Sequence, residues 1–315
     1  MKFSCLCSAA VSLFGCVASG QQLRTEAKLN TPVPIRQAIT CEKGALIVGS
    51  GEDGAVYAWT LPNTSPVKMD NAGSSVRRMA CAGGNSFAAG FRDGKVVVVD
   101  VASGVVRQRF EAKYAVQAIS FSPEGSLVAI ATNGMPTQLW GVRTGQRLAV
   151  GVTNLGASWS TAFSPKGDVF VSADEDTYIR AYDRQGKLLY SADGGLLESF
   201  AITFTADGGQ FAVAGAGGTI SLFDTASGKK LKSSNSGGNP VWTLTMFPDS
   251  QQIVALEVDD FRLAPAEIAL WDMRAEMAKP TGINPKDVIG TGTNEGHALL
   301  LRQDGPEALS VFSLQ

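Results

Sequence analysis

An all-β ring of seven four-stranded antiparallel blades, a β-propeller closed by an N-terminal strand in its last blade, is the fold this sequence predicts. Three observations predict it. Seven apolar positions, Trp59, Val99, Trp140, Tyr182, Phe223, Trp271 and Phe312, recur at intervals of 40, 41, 42, 41, 48 and 41 residues. Each interval has room for four short β-runs, and such a period marks propeller blades, whose small sheets stack on their neighbours around an axis. The same turn words punctuate each period, and the chain ends one strand short of a complete last blade.

From the N-terminus, Met1 to Gly20 carries a single charge, Lys2, followed by an apolar run through Val17 and the small residues Ala18-Ser19-Gly20. This reads as a secretory signal over 1–20, with one propeller domain over 21–315. The run is too short to span a bilayer, and no later stretch approaches the ~20 apolar residues a transmembrane helix needs. Leu13-Phe14-Gly15-Cys16 supports a rival reading, a lipoprotein box that would lipidate Cys16. The expected location is therefore periplasmic or secreted, with a membrane-anchored lipoprotein as the alternative. Next, Gln21-Gln22-Leu23-Arg24 matches Gln146-Arg147-Leu148 and Lys229-Lys230-Leu231, which are fourth strands. The N-terminal segment is thus expected to supply the outer strand that the last blade lacks, removing an open sheet edge.

The block Val116 to Leu148 states the repeat in full. Val116 to Phe121 is a β-run, Ser122-Pro123-Glu124-Gly125 a turn, Ser126 to Ala131 a second run, and Gln138-Leu139-Trp140 the third. Phe163-Ser164-Pro165-Lys166-Gly167 and Phe204-Thr205-Ala206-Asp207-Gly208 repeat the first turn, where Pro presets φ and Gly supplies φ > 0. Asp100-Val101-Ala102-Ser103-Gly104, Asp183-Arg184-Gln185-Gly186 and Asp224-Thr225-Ala226-Ser227-Gly228 form the hairpin between third and fourth strands. Blade six carries the long interval, with Asp259-Asp260-Phe261-Arg262-Leu263-Ala264-Pro265 inserted between its second and third strands.

These words resemble the WD-repeat β-propeller family over about residues 22 to 315, with a literal Trp271-Asp272 pair and weaker forms at Tyr182-Asp183, Phe223-Asp224 and Val99-Asp100. Two features depart from that family. Its Gly-His pair before the first strand is missing, since the only histidine is His297, and the buried network that such a histidine joins is expected to be absent. Turn aspartates similar to the family's remain at Asp53, Asp93 and Asp176. The resemblance also implies that the position four residues before each core Phe lies near the channel top and contacts partners. Here it is held by Gln37, Arg77, Gln117, Trp159, Phe200, Trp242 and Ile289. Polar residues on one arc and three large aromatics on the next suit recognition of a protein or peptide segment, and Phe261 and Arg262 would overhang the same face. Rings that fill the wedge between blades are the competing reading.

Composition excludes other classes. Loss of residues 1–20 removes only Lys2 of 27 basic side chains, leaving 26 against 29 acidic ones. No basic cluster beyond Lys229, Lys230 and Lys232 could neutralise phosphates, so nucleic acid is not expected, and charges on an outer strand suit a protected edge. No serine sits in a nucleophile elbow, and no His or Cys cluster has metal spacing. No enzyme activity and no cofactor are expected, although Asp174, Glu175 and Asp176 form one acidic cluster and Glu257, Asp259 and Asp260 another. A propeller enzyme with a metal or quinone at its channel, and a structural envelope component, are the alternatives to a monomeric partner-binding scaffold. Cys41 and Cys81 take the core Phe place in adjacent blades. Equivalent positions point the same way around the ring, so their Cα atoms are expected beyond the ~7 Å bridging limit and the thiols unpaired.

Overall fold

In the computed structural model, the described residues are 23–41, 44–69, 75–83, 86–152, 155–195, 198–235, 238–247, 252–258, 265–274, 279–293 and 297–314. They form seven four-stranded antiparallel sheets. The first blade comprises Ile35–Cys41, Leu46–Gly51, Val56–Thr60 and Val67–Met69, and the pattern recurs to the sixth, whose last strand is only Lys279–Pro280. The seventh combines Val288–Thr293, Ala298–Gln303 and Ala308–Leu314 with Leu23–Asn30 as its outer strand. That N-terminal strand pairs from Leu23↔Leu314 to Asn30↔Ala308, and Leu29 is buried within the ring. The leader, Cys16, Gln21 and Gln22 lie outside the described residues.

Turn chemistry sets the hairpins where the sequence places them. Gly125, Gly167 and Gly208 have φ of 71°, 70° and 70°, and their amides donate to Ser122, Ser164 and Thr205 carbonyls at 2.8–2.9 Å. Glycine is required there because side chains disfavour positive φ. In the hairpins of the outer strands, Asp100 and Asp224 accept the Ser103 and Ser227 amides at 2.8 and 2.9 Å. The same serine hydroxyls hold both carboxyls below the usual carboxylate range.

A four-stranded sheet cannot bury both faces alone, so the seams between blades carry the core. Seven apolar clusters fill them, each drawing on two consecutive blades. In one seam Phe170 stacks on Tyr182 at 5.0 Å and meets Phe163 at 5.3 Å; in the next Phe211 stacks on Phe223 at 5.3 Å and meets Phe204 at 5.4 Å. Nearest the axis the inner strands almost touch. A Cβ on Gly290 would collide with the Ala38 carbonyl, and one on Gly292 with the Thr40 hydroxyl.

Two register details differ from the sequence reading. In six blades the repeat residue on the third strand is aligned as expected, but in the seventh Leu314, not Phe312, pairs with Ala298 at the level where Trp140 pairs with Val128. In the first blade the inner strand is offset by one. Thr40 pairs with Ile47 opposite Trp59, as Phe121 pairs with Val128 opposite Trp140, so Thr40 holds the Phe place and Cys41 lies one residue beyond it.

That offset overturns the expectation of unpaired thiols. Successive strand residues face opposite sides of a sheet, so Cys41 points into the seam with the second blade, where Cys81 faces it. The two form a disulfide with Cα atoms 5.5 Å apart. The expectation failed because it treated the cysteines as equivalent positions.

Polar contacts also fill part of the fourth blade. Arg180 donates to Asp174 at 2.7 Å and to Asp176 at 2.6 Å, and Asp174 accepts the Ser172 hydroxyl at 3.1 Å. The expected absence of a buried network thus holds only for its histidine form. Arginine serves instead, and its two carboxylates raise its pKa against the opposing effect of burial. Asp53, Asp93 and Asp176 all accept the amide two residues on, from Ala55, Lys95 and Tyr178 at 3.0–3.3 Å, which braces the turns.

Deleting residues 1–30 should remove an entire strand and expose the Ala308–Leu314 edge; thermal unfolding should fall sharply or give way to aggregation, and an unchanged melting curve would contradict the closure. For the bridge, mass spectrometry of unreduced, alkylated protein should recover a linked Cys41–Cys81 peptide. Replacing both residues by alanine should lower stability by about 2–4 kcal/mol, the range for a loop of this size.

Candidate functional site

Every inner strand begins with the same irregularity. Its ladder slips by one residue after Ile35, Val76, Val116, Ser158, Ser199, Val241 and Val288. A bulge sets two residues against one on the partner strand and re-aims side chains. The bulged residues are Arg36, Arg77, Gln117, Trp159, Phe200, Trp242 and Ile289. Six were identified from sequence; in the first blade the slot belongs to Arg36 rather than Gln37, through the same one-residue offset that moves Cys41.

The inner strands enclose a channel cavity of about 1390 Å³ whose lining includes Arg36, Gln37, Arg77, Arg78, Gln117, Phe200, Trp242 and Ile289. These strand starts share one face with the turns between second and third strands, as the pairing Ile35↔Gly51 shows. On one side Trp159 meets the edge of Phe200 at 5.9 Å and 85°, and Phe200 lies 5.5 Å from Trp242. Trp159 reaches the channel only through Phe200, since it is not itself part of the lining. All three rings are half-buried, and none belongs to an interblade core. Ile289, by contrast, packs into the core between the seventh and first blades.

The opposite arc is cationic. Arg77 donates to the Gln117 side chain at 3.0 Å, yet its Nε is buried without a partner among the described residues. Arg78 donates to the Arg77 carbonyl at 2.8 Å and lays its guanidinium 5.1 Å from the Trp242 ring centre. The polar and aromatic arcs therefore meet across the channel. Burial lowers the Arg78 pKa to about 10, and the Arg77 charge pushes the same way; the guanidinium still carries its proton at neutral pH. Sequence reasoning missed Arg78. The adjacent Arg77-Arg78 pair was the available signal, because a bulge lets two consecutive residues face one side.

Other sequence candidates fall elsewhere. Phe261 and Arg262 lie outside the described residues, as do Asp259 and Asp260. His297 is half-buried just before Ala298–Gln303, away from the channel lining. Asp174 and Asp176 are taken up by Arg180. Lys230 and Lys232 donate to the Gly194 and Arg274 carbonyls at 2.9 and 2.8 Å on the outer rim. Among the described residues no group of three or more His, Cys, Asp or Glu side chains is placed to hold a metal ion.

No protein-family model matches this chain, and comparison with curated proteins finds no relative. The propeller stands on the sheets themselves.

The seam rings and channel rings should separate in stability measurements. Phe211→Ala should cost about 3–5 kcal/mol, because a fully buried ring leaves a cavity. Phe200→Ala should cost at least about 2 kcal/mol less on the same chemical denaturation assay, since its site is open to solvent.

Proposed function

We propose that this chain is an exported, non-catalytic propeller scaffold that holds a segment of a protein or peptide partner at the channel mouth. The observation that carries this reading is the row Trp159, Phe200 and Trp242, three rings each in contact with the next, half-buried and outside every seam core. Aromatic side chains so placed give large contact area at low entropic cost when an extended segment covers them, and the polar residues beside them suit the rim of such an interface. A rigid ring holds them in register without any partner present.

Export is supported by the leader-like residues 1–20 and by the Cys41–Cys81 bridge, since disulfides persist in oxidising compartments. The product is soluble or held by lipid on Cys16. No helix of the described residues is long and apolar enough to cross a membrane.

A second reading, assembly into an envelope structure through the outer strands, is favoured by the exposed side chains Val67, Leu148, Val150, Leu188, Leu189 and Leu231 on fourth strands. The two readings place the partner on different surfaces. For the protein that co-purifies with the full chain, Trp242→Ala should weaken binding about thirtyfold, equivalent to about 2 kcal/mol for a hot-spot ring, while Lys230→Ala leaves it unchanged. Binding that survives Trp242→Ala and is lost in Leu148→Ser with Leu189→Ser would sink the channel-mouth reading in favour of the second.

A further inference from the structure

The cationic arc specifies what kind of segment the mouth takes. Arg36, Arg77 and Arg78 all line one channel, and among the described residues none of them has a carboxylate within ion-pair distance. Elsewhere the described arginines without an ion pair, Arg24, Arg92, Arg109, Arg143 and Arg147, are exposed to solvent, whereas Arg77 and Arg78 are half-buried. Arg107, Arg180, Arg184, Arg274 and Arg302 each pair with an acidic side chain. The lining does contain Glu52, Asp53 and Asp287, but Asp53 is engaged by Tyr57 at 2.7 Å and Lys68 at 3.2 Å, and neither Glu52 nor Asp287 reaches an arginine.

Holding half-buried guanidinium groups such as those of Arg77 and Arg78 without a counter-charge is unfavourable, since desolvation is offset only by pairing and hydrogen bonds. Here the offset is partial. Arg78 has one carbonyl acceptor and a ring face, Arg77 one amide oxygen, and the buried Arg77 Nε has none. A planar carboxylate would satisfy these forked donors, which is what guanidinium geometry recognises best. Because the Arg78 guanidinium lies over the Trp242 ring, a ligand that reaches the cations comes beside the aromatic row.

We infer that the channel mouth selects a peptide segment carrying a carboxylate beside an apolar or aromatic side chain, with Arg77 and Arg78 taking the carboxylate and Phe200 and Trp242 the ring. This rests on the channel-mouth reading and narrows it. The carboxylate comes from an acidic side chain or from a free peptide C-terminus, which offer the same group. Arg36, exposed at the equivalent bulge of the first blade, adds a long-range attraction that salt weakens.

The minimal probe is hydrocinnamate, a phenyl ring and a carboxylate on one short chain, titrated into the full protein with tryptophan fluorescence as the signal. Its neutral isostere hydrocinnamide and inorganic phosphate are the comparisons. Hydrocinnamate should give a saturable change and bind at least tenfold more tightly than either. In Arg78→Gln the preference for carboxylate over amide should vanish, while the free protein melts at the same or a higher temperature because an unpaired charge has been removed. Equal binding of hydrocinnamate and hydrocinnamide, phosphate binding as tight as hydrocinnamate, or a preference unchanged in both Arg78→Gln and Arg77→Gln would each overturn the inference. No saturable hydrocinnamate signal would overturn it as well. These failures leave the channel mouth standing if Trp242→Ala still releases the co-purified partner; retention of that partner in Trp242→Ala sinks the broader reading instead. Capped acidic peptides with free or amidated C-termini then separate the two sources of the carboxylate.

Discussion

Packing across the wedge between neighbouring blades is the interaction on which the rest of this molecule depends. Each sheet has two apolar faces and no layer of its own to cover them, so every blade is stable only between two others. The seam clusters show how this is met: Trp59 and Ile47 face backward to the seventh blade, while Leu46, Val48 and Cys41 face forward to the second. Packing of this kind forces the inner strands into near contact at the axis. There Gly290 and Gly292 replace side chains, and there a disulfide can form between blades.

Much of the fold was legible in the sequence because its signals are local. A glycine at positive φ, an aspartate that caps a turn and a period near 41 residues each report on a few neighbours, and their repetition fixes the number of blades. Strand register is different, because it is settled by which residues face one another across a ladder. Cys41 looks like the counterpart of Phe121 when the strands are aligned by their words, yet the ladder makes Thr40 the counterpart. One residue of offset turns a side chain to the other face of the sheet, and the bridge to Cys81 follows from that turn. Phe312 was misaligned with Trp140 by two residues, a shift that keeps the face but that only the ladder reveals.

The candidate site shows the same division. The aromatic row was visible because Trp159, Phe200 and Trp242 share a register in three regular blades. Arg78 was not, since simple alternation along a strand would send it away from the face that Arg77 occupies. The bulge breaks the alternation, and in six of the seven blades both residues of the consecutive pair line the channel, the exception being the fourth, where Trp159 stands behind Phe200. In the second blade the pair is two arginines; in the third, Gln117 and Ala118; in the sixth, Trp242 and Thr243. One backbone irregularity, repeated around the ring, thus presents a different chemistry to the same opening from each blade that lines it.

The pairing of Leu23–Asn30 with Ala308–Leu314 also orders events in time. Leu23–Asn30 precedes its partner strand in sequence by the whole of six blades, so it has no partner until Ala308–Leu314 has been made. Bringing such distant segments together is entropically modest, because loop-closure cost grows only with the logarithm of length. The kinetic exposure is greater, since an unpaired edge strand is a template for other chains. The ladder that seals the ring is therefore also the one most open to misassembly before sealing, and the outermost strand of the last blade acts as a latch that engages only once Ala308–Leu314 has been made.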